Sequence, residues 1–214
     1  MSDDFKSILV TGASSGIGLA TAQYLASRGF HVYAGARNTA TLEDLCKTPN
    51  ITPVQLDVTN TEDIINVRKI IEQRKPALFG LVNNAGITKA GPLMDAALED
   101  LRSQFEVNLF GVHQITQVFF SLLLQAKGRI VMISSDSGFF ATPFVGPYCS
   151  SKFALEGYSD LLRREIVSHG MKVILIEPGR IMTPIWNKGE KILKSEKNVK
   201  SIFWREAKAM GEYA

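Results

Sequence analysis

Cysteine and histidine are scarce in this chain of 214 residues, which contains two cysteines and three histidines. Cys46 and Cys149 are too few and too far apart to indicate a disulfide framework, so we expect reduced thiols and a cytoplasmic protein. The histidines, His31, His113 and His169, have no cysteine or acidic partner at metal-ligand intervals. The sequence therefore predicts no bound metal.

Long apolar runs and an excess of one charge are missing as well. The net charge of +3 is spread along the chain, apart from a lysine-rich stretch over 188–200 that fits a solvated helix face, so no nucleic-acid partner is expected. The acidic start, Met1 to Asp4, is followed only by a strand-length apolar run, which does not fit a secretory signal. No stretch approaches the roughly 20 apolar residues of a membrane span, so none is expected.

Strand-like and helix-like segments alternate along the chain, which is typical of a parallel sheet with right-handed crossovers. Near-continuous apolar runs such as Ile130 to Ile133 fit strands that are buried on both faces. We expect a single-domain α/β protein, a Rossmann-type doubly wound sheet in three αβα layers. Strands are expected near 7–11, 31–35, 52–56, 79–82, 129–134 and 172–176, and helices near 17–28, 40–46, 61–73, 99–126 and 149–169.

A glycine-rich turn follows the first expected strand. Gly12 would permit a tight turn, Gly16 would let a pyrophosphate approach the backbone, and Gly18 would let the following helix pack closely on the strand. On spacing alone, an ordinary glycine-rich turn between a strand and a helix remains the alternative.

Tyr148 and Lys152 lie one helical turn apart, and Ser135 lies thirteen residues before the tyrosine. A free tyrosine has a pKa of about 10, so acid/base work near neutral pH requires a shift of roughly 3 units, or about 4 kcal/mol. An ammonium about 4 Å away contributes roughly that much at an effective dielectric of 20, before its own desolvation is counted. This grouping predicts proton transfer at an alcohol or a carbonyl, with a second, cofactor-borne positive charge as further help.

Several short motifs follow one another along the chain: Thr11-Gly12-x-x-x-Gly16-x-Gly18, Asp57, Asn83-Asn84-Ala85-Gly86, Asn108, Ser135, Tyr148-x-x-x-Lys152 and Pro178-Gly179. In this order and spacing they resemble the classical short-chain dehydrogenase/reductases over residues 5 to about 186. The run from Gly128 to Pro184 is similar to the branch that acts on steroids, retinoids and related lipophilic carbonyls.

The resemblance implies a catalytic set of four residues. Tyr148 would exchange a proton with the substrate oxygen while a hydride moves to or from a nicotinamide ring. Ser135 would hydrogen-bond the same oxygen, and Lys152 would lower the tyrosine pKa and hold the nicotinamide ribose. Asn108 would distort its helix and hold a proton-relay water. The function expected is interconversion of a lipophilic carbonyl and its secondary alcohol; a catalytically silent NADPH-binding regulator is the alternative.

The second expected strand ends without the acidic residue that favours NAD, since Ala36 stands where that carboxylate would lie and Arg37 follows it. We therefore expect NADP(H), with NAD(H) possible; Arg37 as a solvated loop residue is the alternative. By resemblance, Asp57 would meet the adenine amino group, and Ile181 and Thr183 would hold the nicotinamide carboxamide. The expected cofactor contacts are Gly12, Ser14, Ser15, Gly16, Ile17, Gly18, Arg37, Asp57, Val58, Asn84, Ala85, Gly86, Tyr148, Lys152, Pro178, Gly179, Ile181 and Thr183.

Two further expectations concern surfaces. By resemblance, the helices near 99–126 and 149–169 would form a homodimer or homotetramer, although burial against the sheet explains their apolar faces equally well. The cofactor-binding and catalytic domain would span 1–184, and 185–214 would form a lid over a small apolar substrate or pack back onto the domain. Phe139, Phe140 and Phe144 would contribute to an apolar pocket or to the core.

Overall fold

The structure is a computed structural model that describes residues 6–37, 44–74, 77–185 and 201–213. Strands and helices alternate through most of this range, as the sequence predicts. In chain order the elements are β1 (Ser7–Val10), α1 (Gly16–Ser27), β2 (His31–Ala36), β3 (Ile51–Gln55), α2 (Thr61–Arg74), β4 (Gly80–Asn83), a 3-10 turn (Leu93–Asp95), α3 (Leu98–Phe105), a π-helical turn (Glu106–Phe110), α4 (Gly111–Gln125), β5 (Arg129–Ile133), a second 3-10 turn (Asp136–Gly138), α5 (Gly146–Ile166), a third 3-10 turn (Val167–His169), β6 (Lys172–Ile176) and α6 (Trp204–Tyr213).

The six strands form one parallel sheet in the order β3-β2-β1-β4-β5-β6. The chain runs outward to β3, returns to the centre, and then runs outward again from β4 to β6. This reversal leaves a crevice at the carboxyl ends of β1 and β4, where doubly wound folds bind their ligands. The predicted fold class is confirmed.

Two apolar clusters cover the two faces of the sheet. On one face Leu9, Leu81 and Ile130 are fully buried together with Ile115 and Phe119 of α4. The other face buries a second cluster in which α1 packs on the first two strands; its members include Val10, Ala22, Ala26, Val32 and Ala34. The strands β1, β4 and β5 contribute to both clusters, which explains why their sequences are continuously apolar rather than alternating. At the edge of the sheet, Ile174 and Ile176 of β6 are exposed.

The long helix expected over 99–126 is interrupted in the structure. The π-helical turn Glu106–Phe110 separates α3 from α4, and Asn108 lies in its middle. Single π-helical turns insert one residue into a helix and occur often at functional sites. The helix expected from 149 starts earlier, at Gly146, with Pro147 in its first turn, where a missing N–H costs nothing. Most of the helix expected near 40–46 lies outside the described residues.

By length and composition alone, the helical run Leu98–Gln125 could cross a membrane. In the fold, this run packs on the sheet, and Ile115, Phe119 and Leu123 are fully buried. A core helix of this kind passes the same test as a membrane span.

Candidate active site

The glycine turn after β1 adopts a conformation that requires glycine. Gly12 has a φ of +66°, and a Cβ there would lie 2.8 Å from the Cα of Ala85. A Cβ on Gly18 would lie 2.3 Å from the Asn84 amide nitrogen and 2.4 Å from the Gly12 carbonyl oxygen. The turn and the loop after β4 are therefore in direct contact, and the first turn of α1 passes beneath them.

Asn84 fastens these two loops together. Its side-chain amide donates to the carbonyl oxygens of Thr11 at 2.9 Å and Gly12 at 3.1 Å, while its backbone N–H donates to the Thr11 hydroxyl at 3.0 Å. The neighbouring Asn83 amide donates to the Thr116 hydroxyl at 3.1 Å inside the core. Both asparagines thus act first as structural braces.

The N-terminus of α1 opens onto a cavity of about 500 Å³ at the carboxyl ends of the strands. The helix begins after Ser15, whose side chain makes no capping hydrogen bond, so the first backbone N–H groups face the cavity with the positive end of the helix dipole. Among the expected site residues, those that line this cavity are Gly12, Ser14, Ser15, Gly16, Ile17, Arg37, Asp57, Val58, Asn84, Ala85, Gly86, Ser135, Tyr148, Lys152, Pro178, Gly179, Ile181 and Thr183. Gly18 and Asn108 are the two expected residues that do not line it.

Ser135 and Tyr148 meet at the inner wall of the cavity. Both side chains are buried, and they hydrogen-bond each other. The Ser135 hydroxyl donates to the Asp136 carboxylate at 2.9 Å and accepts the Ser137 backbone N–H at 3.2 Å. Burial raises the pKa of Tyr148, and its hydrogen bond with Ser135 opposes that rise. The tyrosine is therefore protonated at neutral pH.

Lys152 is buried one turn further along α5. Its ammonium donates to the Ile133 carbonyl oxygen at 2.7 Å and lies 5.7 Å from the centre of the Tyr148 ring. Burial lowers the pKa of Lys152 to about 8, against the opposing effect of the Glu156 carboxylate. Within the described residues the net shift of the Tyr148 pKa is upward. That Lys152 lowers this pKa together with an oxidised cofactor stays a prediction.

Asn108 stands behind the cavity wall and connects three elements. Its side-chain oxygen accepts the Ile87 N–H at 2.9 Å, and its amide nitrogen donates to the Ile87 carbonyl oxygen and the Ser151 hydroxyl, each at 3.1 Å. Ser151 in turn donates to the Tyr148 carbonyl oxygen at 2.7 Å. The π-helical turn thereby ties the loop after β4 to the first turn of α5, which carries the tyrosine and the lysine.

The opposite end of the cavity is an exposed rim. Arg37 is 65% exposed, and its guanidinium lies 4.0 Å from the Asp57 carboxylate. The same carboxylate accepts hydrogen bonds from the backbone N–H and the hydroxyl of Thr59, at 2.9 Å and 2.8 Å. Exposed pairs at this separation contribute little to stability, so Arg37 is free to reorient toward an anionic ligand.

The loop after β6 closes one side of the cavity. Thr183 lies over the glycine turn, since a Cβ on Gly16 would be 3.1 Å from the Thr183 side chain. The Pro178 carbonyl oxygen accepts the Asp136 N–H at 3.1 Å, which joins this loop to the segment that carries Ser135. Beyond Ile185 the expected lid lies largely outside the described residues; of its final helix, α6, Ala207 is fully buried.

Some wall residues escaped prediction from the sequence. They are Leu56, Ile87, Thr88, Lys89, Val107, Ile133, Ser134 and Pro184. The segment Ile87 to Lys89 could have been suspected because it directly follows the asparagine loop. By contrast, Phe139, Phe140 and Phe144 do not line the cavity, and the first two are largely exposed.

A model of the short chain dehydrogenase family matches residues 6–192. The chain belongs to the short chain dehydrogenase family. It is 42% identical over 194 residues to 3-amino-tetrahydro-pyrrolizinone reductase of Xenorhabdus hominickii, in an alignment that covers 88% of this chain and 67% of that protein. The chain spans about half to two thirds of the length of the curated relatives that it matches.

Two solved structures share the fold of this family member. A short-chain dehydrogenase from Streptomyces avermitilis has a TM-score of 0.80 and 35% identity, with 86% of this chain and 69% of that chain covered. A short chain dehydrogenase from Burkholderia cenocepacia J2315, in complex with NADP, has a TM-score of 0.78 and 30% identity, with 88% and 78% covered. The family resemblance read from the motifs is confirmed.

Proposed function

We propose that this protein is an NADP(H)-dependent oxidoreductase that interconverts a lipophilic carbonyl and its secondary alcohol, with Tyr148 as the acid/base. The observation that carries the proposal is the buried, hydrogen-bonded pair of Ser135 and Tyr148, with Lys152 one helical turn away, in the same cavity as the glycine turn. A phosphate-binding turn and an acid/base group in one cavity are what hydride transfer to a carbonyl requires.

The donor set of the cavity fits a nicotinamide dinucleotide. The open N-terminus of α1 with Ser14 and Ser15 suits a pyrophosphate, and Arg37 at the rim suits a ribose phosphate. Ala36 stands where a carboxylate would repel that phosphate, and its apolar side chain therefore favours NADP(H) over NAD(H). One structural neighbour was solved in complex with NADP. When bound, the dinucleotide supplies or accepts the hydride and, in its oxidised form, adds a positive charge beside Tyr148.

Three side chains of the protein have separate roles in the proposed reaction. Tyr148, with its raised pKa, is protonated at neutral pH and donates its proton to the carbonyl oxygen as negative charge develops there. Ser135 hydrogen-bonds the same oxygen, and Lys152 holds the nicotinamide ribose. A protonated tyrosine is the state that carbonyl reduction requires, and a relative named as a reductase agrees with that reaction.

The test is consumption of NADPH by the purified protein with a panel of lipophilic ketones, aldehydes and quinones. Tyr148→Phe should lower kcat/KM by at least about 100-fold, because the proton donor is lost, while the Kd for NADPH changes little. Tyr158→Phe is the matched control, since Tyr158 lies on the same helix and its hydroxyl pairs with His113 at 3.2 Å. NADPH binding without oxidation, unaffected by Tyr148→Phe, would instead support a cofactor-binding regulator.

We also propose a homodimer or homotetramer that uses the α3–α4 and α5 surfaces. Large apolar side chains are exposed there, including Phe110 at the end of the π-helical turn and Phe153 and Leu161 on α5. Exposed apolar surface of this kind typically marks an interface. The mass in solution, measured by light scattering for wild type and for Leu161→Ser, tests this arrangement, and a monomeric wild type would contradict it.

A further inference from the structure

Thr88 carries a buried hydroxyl that has no hydrogen-bond partner within the described part of the chain. The residue is 5% exposed and lines the cavity. A buried hydroxyl that gives up its water without finding a partner is destabilising, and native proteins keep few of them. Such a group in the wall of a ligand cavity is therefore expected to have a partner among the molecules that enter the cavity.

The backbone on either side of Thr88 is held by hydrogen bonds, so the point from which the hydroxyl extends is fixed. The buried Gln104 side chain donates to the Ile87 carbonyl oxygen at 2.7 Å and accepts the Lys89 N–H at 2.7 Å. Asn108 accepts the Ile87 N–H at 2.9 Å. This clamped segment, Ile87 to Lys89, presents the hydroxyl from a backbone that is ordered before any ligand arrives, which lowers the entropy cost of a contact there.

The course of the segment indicates which ligand it meets. The loop leaves the glycine turn at Asn84 and reaches Gly91, whose N–H donates to the Phe144 carbonyl oxygen at 2.6 Å. Gly91 also forms a bridge with Val145, three residues before Tyr148. Thr88 therefore lies between the dinucleotide turn and the entry to the tyrosine helix. The charged neighbour in this segment, Lys89, is already paired with Asp100 at 2.8 Å.

We propose that the Thr88 hydroxyl hydrogen-bonds a second oxygen of the substrate, and that the preferred substrates are carbonyl compounds bearing a further hydroxyl or keto oxygen on an otherwise apolar body. This inference rests on the proposed function, because it assigns the specificity of that same site. A site that presents a fixed hydrogen-bonding group discriminates against analogues that lack the matching oxygen. The alternative source of that oxygen is the dinucleotide itself.

The experiment compares cyclohexanone with its 2-hydroxy, 3-hydroxy and 4-hydroxy derivatives in wild type, Thr88→Val and Thr88→Ser. Wild type should prefer at least one hydroxy ketone. Thr88→Val, which keeps the shape and loses the hydroxyl, should lower kcat/KM for that ketone by about tenfold and leave cyclohexanone unchanged. Thr88→Ser should retain the preference.

Three results would overturn the inference. The first is an equal loss of kcat/KM for all four ketones in Thr88→Val, and the second is no preference among the ketones in wild type. The third is a weaker Kd for NADPH in Thr88→Val while the preference for the hydroxy ketone stays intact.

Two measurements need no turnover. Because it removes an unpaired buried hydroxyl, Thr88→Val should leave the Tm of the ligand-free protein unchanged or raised; a lowered Tm shows that the hydroxyl is already paired and overturns the inference. Ligand-observed NMR on the protein–NADP⁺ complex gives the Kd of each ketone. If wild type oxidises no NADPH, the proposed reaction fails, but a hydroxyl preference in binding that Thr88→Val abolishes still supports the inference. No such preference in binding overturns it.

Discussion

The glycine turn and the Arg37 rim lie at the same cavity but are built in opposite ways. The turn is held by hydrogen bonds from Asn84, and extra atoms at Gly18 would meet neighbours at 2.3 and 2.4 Å. At the rim, Arg37 is mostly exposed, and its carboxylate neighbour Asp57 lies 4.0 Å away. The glycine turn depends on close contact between backbones, and the rim depends on the charge of a solvent-exposed side chain.

This difference predicts how each region responds to substitution. In the turn, the shape is required before any ligand binds, so changes there should affect folding and binding together. At the rim, a charge acts only when an anionic ligand arrives, so changes should alter ligand choice without altering stability. Three substitutions, taken from the largest expected effect to the smallest, test this division.

Gly18→Ala should have the largest effect. The added methyl group overlaps the Asn84 amide and the Gly12 carbonyl oxygen, so the turn must open and lose the hydrogen bonds that close it. We expect the free energy of unfolding to fall by about 3 kcal/mol, and binding of NADPH to weaken with it. Urea unfolding and NADPH titration measure the two effects.

Gly157→Ala is the matched control because Gly157 is also helical but has open space where the Cβ would lie. Alanine should stabilise the protein there by about 0.5 to 1 kcal/mol, the difference in helix propensity. If both substitutions change the free energy of unfolding by the same amount, close packing of Gly18 is not what the turn requires.

The two regions also differ in how well the sequence predicts them. Gly12, Gly16 and Gly18 are recognisable in the sequence because positions where two backbones come into contact require glycine, and these positions have a fixed spacing. The apolar strand before them shows where the turn lies in the fold. Tyr148 and Lys152 are recognisable for a similar reason, since one helical turn is all that separates them. Short-range geometry of this kind is present in the sequence itself.

Contacts between distant segments are harder to predict. Gln104 appears in the sequence as one polar residue on a helix, and nothing nearby indicates that it clamps the backbone around Thr88. The net pKa of Tyr148 is hard to predict from the sequence for a related reason. Charge proximity can be read from spacing, but the desolvation that raises this pKa depends on burial that only the folded chain shows.

Arg37→Ala should have an intermediate effect that is confined to the ligand. Loss of the guanidinium should raise the Kd for NADPH about tenfold, which corresponds to one charge-assisted hydrogen bond at an exposed site. The Kd for NADH and the free energy of unfolding should not change, and the salt dependence of NADPH binding should decrease. Fluorescence titration of both dinucleotides at two salt concentrations measures this.

Arg28→Ala provides the comparison for Arg37, because Arg28 is exposed at the end of α1 and does not line the cavity. It should leave the Kd of both dinucleotides unchanged. If Arg37→Ala binds NADPH and NADH with the same Kd values as wild type, the rim does not contact the ribose phosphate. That result would contradict the proposed preference for NADP(H).

Lys152 should show the smallest effect at neutral pH, where its contribution does not vary, and it sharpens the comparison because it places a charge in the packed region instead of the rim. Its pKa is lowered by burial from 10.5 to about 8. Between these values the unfolded chain binds more protons than the folded one, so the free energy of unfolding should rise with pH, by at most about 1.4 kcal/mol per pH unit. Below about pH 7 both states are protonated, and the contribution is constant.

The measurement is the difference in pH slope between wild type and Lys152→Met in urea unfolding from about pH 8 to about pH 9.5. The upper limit matters because Tyr33, Tyr148 and Tyr158 have raised pKa values. Near pH 10 their unfolded forms release protons first, which lowers stability as pH rises. Within the window, wild type should gain stability relative to Lys152→Met. Parallel curves would mean that the Lys152 ammonium keeps an ordinary pKa inside the fold, and that its hydrogen bond to the Ile133 carbonyl oxygen compensates for its burial.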